Sequence, residues 1–352
     1  MNLVQDLSAY NLWANERVFA LCVDLADEQL DQTFPIGVGT LRATLFHLLA
    51  AETAWLERWQ RMPWRSFPTD PQDLSVNDIR SRLREVGSRR TKYLDGEQDN
   101  DWSKIISYQD SKQTPYQHRL LDLILHVFNH GVHHRAQALN YLRRLECSVG
   151  AGIDYIFYRL DGAATPQSTD AQQMLSQYGM PYGTFDGGSV EWHTRAICRW
   201  TDYSDWATNR VLDWCDDLSA SQLNQSFEVG HGSLRSTLNH MHDVERWWLD
   251  SLRGQPVSFG QHTDFASISE LQKGWHSLAK ERKDFLTTLD PASATVLAEV
   301  SFGGPPMHFQ RTEGWLQVLN HGTHHRAQMI NMLRRCDAPI QDIDLLYWLA
   351  DE

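Results

Sequence analysis

The octet HGVHHRAQ at 130–137 returns as HGTHHRAQ at 321–328, each time behind an asparagine, Asn129 and Asn320. On an α-helix, residues four apart share a face one turn apart, so His130 and His134 present two imidazoles to one point, and His321 and His325 repeat the geometry. Two ligands hold a metal ion poorly, and a third must come from elsewhere. His47 and His240 are the natural candidates. Each stands mid-helix in an apolar stretch, TLFHLL and TLNHMH, where an unpaired polar ring is costly to bury. Three neutral imidazoles leave a tetrahedral ion with an open position, where water or a thiol is acidified into a nucleophile near neutral pH, or a carbonyl is polarised.

A single histidine on an apolar face is usually a hydrogen-bonded core residue, and His47 alone reads that way. Its pairing with an HxxxH element, and the return of the whole constellation, shift the balance to metal binding. His133 and His324 offer a competing i,i+3 choice, or stand behind the ligands or at the surface. His126 extends the stripe one turn earlier, but the second copy has Gln317 there, which confines any role to the first site. Glu52 and Glu245 follow the third ligands by five residues, a rotation off that face that suits solvation or an interhelical ion pair. Asn129, Arg135 and Gln137 with their counterparts could orient the imidazoles or bind substrate, while capping and surface solvation explain them as well. Trp55, Trp59, Trp247 and Trp248 read as core or wall.

The elements that must position these residues are also written twice. RVFALCVDLADEQLDQTF (17–34) matches RVLDWCDDLSASQLNQSF (210–227), and GTLRATLFHLLAAETAWL (39–56) matches GSLRSTLNHMHDVERWWL (232–249). Two copies so far apart are fused domains, not a solenoid. The expected boundaries are a first domain over 1–160, a linker over 161–189 rich in Gly, Pro, Ser and Gln, and a second domain over 190–352. Apolar spacing predicts helices over 3–25, 41–61, 76–95 and 116–146, and over 193–218, 234–253, 267–289 and 311–336. The fold class is therefore all-α, two tandem four-helix bundles, with a small hairpin or irregular crossover at 105–118 and 300–309 before each fourth helix.

A chain of 352 residues suits two cores of ordinary size. No apolar run is long enough to cross a bilayer, and the N-terminus reads as helix, not as a targeting signal, so a cytoplasmic location is expected. Five scattered cysteines without a CxxC pair argue against disulfides and a thiolate metal site and for reduced, mostly buried residues. The net charge of −13 disfavours nucleic acid and anionic membranes as partners. The basic stretch RSRLREVGSRR (80–90) reads as a solvated helix face.

Several of these stretches together resemble the DinB/YfiT-like family of metal-binding four-helix bundles. They are YNLWANER, LFHLLAAETAWL, HVFNHGVHHRAQALNYLRR and DYIFYRL in the first copy, and YSDWATNR, LNHMHDVERWWL, VLNHGTHHRAQMINMLRR and DLLYWLA in the second. The resemblance implies a divalent metal, commonly zinc or nickel, held by His47, His130 and His134 and by His240, His321 and His325. It also implies a chain that is an intramolecular pseudo-dimer or a homodimer. Induction by DNA damage, from which the family takes its name, says nothing about binding DNA. His126 and the long linker depart from the family pattern.

Related proteins in this superfamily include thiol S-transferases and thiol-dependent isomerases. The leading expectation is therefore a metal-dependent enzyme that activates a small thiol, or water, against an electrophile, with S-transfer ahead of hydrolysis. No Ser-His-Asp or Cys-His nucleophile competes in the sequence. The alternative is a non-catalytic metal-binding or stress-response protein whose bundles serve as scaffold.

Overall fold

The structure, a computed structural model, describes residues 2–63, 70–150, 152–163, 190–255, 257–263 and 265–351. The chain divides into two compact units, one grouping residues 1–186 with Asp344–Ala350, the other built on residues 187–343. From residue 164 onward, the expected linker lies outside the described residues.

In the first unit the long helices are α1 (Leu3–Ala20), α2 (Leu41–Trp59), α3 (Val76–Asp95) and α4 (Leu120–Arg144), followed by the short α5 (Tyr155–Ala163). Helix α1 packs on α3 and α4, and α2 packs on the same two, which closes a four-helix bundle. Local chemistry sets the helix starts. Asn2 and Gln5 form a capping box on α1, Thr40 caps α2, and Ser75 with Asp78 boxes α3. Helix α4 has no side-chain cap, because it runs straight out of a hairpin. Strands β1 (Ile105–Gln109) and β2 (Pro115–Arg119) pair antiparallel with Tyr108 opposite Tyr116, and the amide of Leu120 bonds the carbonyl of Lys104 at 2.9 Å.

The second unit repeats the plan with α6 (Val190–Asp216), α7 (Leu234–Leu252), α8 (Ile268–Thr287), the hairpin β3 (Leu297–Val300) and β4 (Met307–Gln310), and α9 (Arg311–Arg335). The short α10 (Leu345–Asp351) follows in the chain, and its residues through Ala350 group with the first unit. Helices α6 and α7 each pack on α8 and α9. The chain is thus all-α in two tandem halves, with two small sheets among the described residues. Among the described residues, no helix is long and apolar enough to cross a membrane.

Three expectations change. The first helix stops at Ala20, short of 25: its apolar period runs on only because a turn folds Cys22 into the core, 0% exposed. Helix α4 starts at Leu120 instead of 116, since alternation carries β2 through Arg119. The stretch 80–90 is only partly the solvated face expected: Arg82 and Arg89 are exposed, while Arg80, Arg84 and Arg90 form an interhelical clamp. Arg80 and Arg84 both pair with Glu16 of α1, and Arg90 is buried against Glu52 of α2. The five cysteines are free, with Cys22, Cys215 and Cys336 buried and Cys147 and Cys198 half-buried.

Candidate metal centres

Neighbouring helices α2 and α4 bring His47, His130 and His134 together. Their ligating nitrogens all lie within 4.8 Å of one another, a group that could hold a metal ion, and each ring is part-exposed. His47 Nε2 stands 3.1 Å from His130 Nε2. Nitrogens about 2.05 Å from a tetrahedral ion are about 3.3 Å apart, so the spacing already matches a coordination edge. The donor chemistry fits as well. Burial, reinforced by the neighbouring imidazoles, holds His130 and His134 well below the usual histidine range, and burial lowers His47. These shifts favour the neutral rings, the form that can ligate a metal.

The rest of the octet holds these rings in place. Gln137 Oε1 accepts from His134 Nδ1 at 2.9 Å, which leaves the Nε2 lone pair of the neutral ring available to the cluster with His47 and His130. The same amide's Nε2 lies 2.9 Å from His133 Nε2, so His133 stands behind the ligands, tied to them through Gln137. Gly37 is glycine for a related reason: its φ is +46°, and a Cβ there would sit 2.3 Å from Gln137 Oε1. Arg135, 0% exposed, donates to Asn11 Oδ1 at 2.6 Å and Asn15 Oδ1 at 2.9 Å, and both asparagines donate on to Glu52, at 2.8 and 3.1 Å. Arg90 closes this network on Glu52 from α3. Surface solvation, one reading of Asn129, Arg135 and Gln137, is therefore ruled out: all three are buried. Glu52 is an interhelical ion-pair partner, not a solvated group.

His126 is 2% exposed, edge-on to Trp55, with Nδ1 2.8 Å from Asp344 of the segment grouped with this unit. Its ring centre is 5.5 Å from that of His130, next to the cluster but outside the group of three.

In the second unit, His240 of α7 and His321 and His325 of α9 also converge. His321 Nε2 lies 3.1 Å from His240 Nε2 and 3.0 Å from His325 Nε2. Gln328 Oε1 takes the proton of His325 Nδ1 at 2.7 Å and its Nε2 reaches His324, repeating the Gln137 arrangement. Burial drives His240 down to about 3 and His321 and His325 well below their usual range. Behind the ligands, Arg326 bonds Ser204 and Thr208, and Arg282 pairs with Glu245 and Asp205.

One histidine was missed. The exposed His231 joins His240 and His325 in a group whose ligating nitrogens lie within 4.8 Å of one another, and its ring stacks on His240 with centres 3.5 Å apart. It occupies the loop before α7, where the first copy has Val38, so comparing the copies gave no signal for it. His231 and His240 also line a cavity of about 370 Å³ with an apolar wall of Trp247 and Phe259 and a polar one including Asp243 and Arg246.

An all-α bundle written twice, each copy with an imidazole cluster between its second and fourth long helices, defines a class of tandem four-helix proteins whose cores could hold metal. The chain belongs to the DinB family, whose model matches residues 1–158 and 194–346. Comparison with curated proteins gives no match.

Proposed function

We propose that this protein is a metal-dependent enzyme that activates a small thiol, or water, against an electrophile, with transfer to sulfur ahead of hydrolysis. The observation that carries the reading is the first cluster: three ring nitrogens from α2 and α4 converge on residues that are each only half-buried. His47, His130 and His134 would hold zinc or nickel, which would supply a Lewis acid able to lower the pKa of a small thiol or water bound beside it. His240, His321 and His325 are the corresponding ligands of the second centre. The chain supplies orientation through Gln137 and Gln328, and an enclosed wall for a small substrate in the cavity beside His240.

Cys22 and Cys215 are poor competitors as nucleophiles, since burial pushes their thiols up to about 12. The free cysteines suit a reducing compartment, and we place the protein in the cytoplasm. Its partners are a small thiol and an electrophile, and a net charge of −13 disfavours nucleic acid.

The test is metal content per chain by mass spectrometry, with His130→Ala and His321→Ala variants alongside, followed by consumption of small thiols with a generic electrophile. Two ions, each lost with its own variant, and thiol turnover that falls with His130→Ala support the enzyme. Full metal loading without turnover by any thiol or water leaves a non-catalytic scaffold, and no metal after addition of zinc or nickel removes the centres altogether.

A further inference from the structure

The loops that precede α2 and α7 share one backbone design. The amide of Phe34 bonds the carbonyl of Gly39 at 2.9 Å, and that of Phe227 bonds Gly232 at 2.8 Å. Both loops carry a Gly-x-Gly with positive φ, +46° and +101° at Gly37 and Gly39, +60° and +84° at Gly230 and Gly232. Between the glycines stands Val38 in one loop and His231 in the other. The same scaffold thus carries an exposed apolar side chain in the first unit and, in the second, an imidazole stacked on His240.

We propose that His231 is a fourth imidazole ligand of the second centre, which gives that centre a complete shell of four histidines while the first keeps three and an open position. The inference rests on the metal-centre reading above and adds a division of labour to it.

Reach and room support the assignment. The nitrogens of His231, His240 and His325 already lie within 4.8 Å of one another, and His321 is 3.1 Å from His240 and 3.0 Å from His325. Drawing His231, His240 and His325 to the edge of about 3.3 Å for a tetrahedral site asks for up to about 1.5 Å of movement from an exposed side chain, and for a further swing of His231 toward His321, which lies outside that group of three. The His231 backbone is held at the right place, its amide bonded to Thr237 Oγ1 of α7 at 3.1 Å. Imidazoles on one tetrahedral ion are splayed, with ring centres about 5 Å apart. His240 already stands 5.0 Å from His321 and 4.9 Å from His325 in this sense. Ligation therefore turns His231 off the face of His240, where it stacks at 3.5 Å and 23°. His231 and His240 are also the members of the cluster that line the adjoining cavity, so a ligating His231 takes a position that a cavity occupant would otherwise use. The second centre then retains its ion and the first does the chemistry.

The exchange Val38/His231 supplies the test, made on the full chain with cobalt(II). In a His130→Ala background, which isolates the second centre, His231→Val should weaken cobalt binding by at least about tenfold, the lower end of what losing even an outer-shell partner costs. Azide should leave the visible cobalt spectrum of the second centre unchanged until His231 is replaced, and then shift it. In a His321→Ala background, Val38→His should tighten the first centre and abolish its response to azide. Unchanged affinity and unchanged azide response in His231→Val would overturn the assignment while leaving a three-histidine centre. No cobalt bound in either background would instead overturn the metal-centre reading and this inference with it.

Discussion

Gln137 accepts the Nδ1 proton of His134 at 2.9 Å while its own amide nitrogen meets His133 at the same distance. One side chain thereby chooses the tautomer of a candidate ligand and ties its neighbour His133 behind the cluster. Replacing Gln137 with leucine removes both bonds without disturbing the helix, and metal affinity of the first centre should fall by about 10- to 100-fold. Competition against a chromophoric chelator measures it. Gln328→Leu should act equally on the second centre, and an unchanged affinity in both would show that the amides are bystanders.

Glu52 ties three helices together, with Arg90 from α3 and Asn11 and Asn15 from α1, at 4% exposure. Glu52→Ala strands Arg90 in the core and should cost about 3–5 kcal/mol, the usual cost of breaking a buried pair from one side. Urea denaturation followed by far-UV circular dichroism reads the effect. A shift below about 1 kcal/mol would mean that water reaches Arg90.

The glycine of the octet makes a comparison between the two copies. A Cβ on Gly131 would lie 2.6 Å from Asn11 Oδ1 and 2.8 Å from Arg135, whereas on Gly322 the nearest atom is Arg326 at 3.0 Å. Gly131→Ala should destabilise by about 1–3 kcal/mol as overpacking does, and Gly322→Ala by less. Thermal melts of the two variants rank them, and the reverse order would refute the packing argument.

Acid should loosen the metal-free protein. The clustered histidines have folded-state values pressed below 6.5, His240 to about 3, so the unfolded chain binds more protons once the pH drops below 6.5. Their contribution to stability is full above 6.5 and is lost as the pH falls from there through the folded values. Urea midpoints of metal-free protein should decline steadily on acidification from neutrality. Metal-loaded protein should decline more steeply, because protons then also displace the ion. A flat metal-free profile would mean that the rings are protonated in the folded state.

The duplication, the helices and the HxxxH pairs are legible in the sequence because they are local: a period of 3.6 residues and a spacing of four need no knowledge of the partner helix. Two copies also vote on each position, which singled out His47 and His240 from the other histidines. The same vote hid His231, which has valine opposite it and sits in a loop without a period. Only the tertiary structure placed Arg135 and Arg90 around Glu52, since those residues come from different helices and nothing in their spacing states which faces will meet. It alone put Asp344 against His126 and turned Gln137 onto His134. Periodicity says which face of a helix is buried, but what that face touches is decided by packing, where distances of a few ångströms separate a ligand from a neighbour.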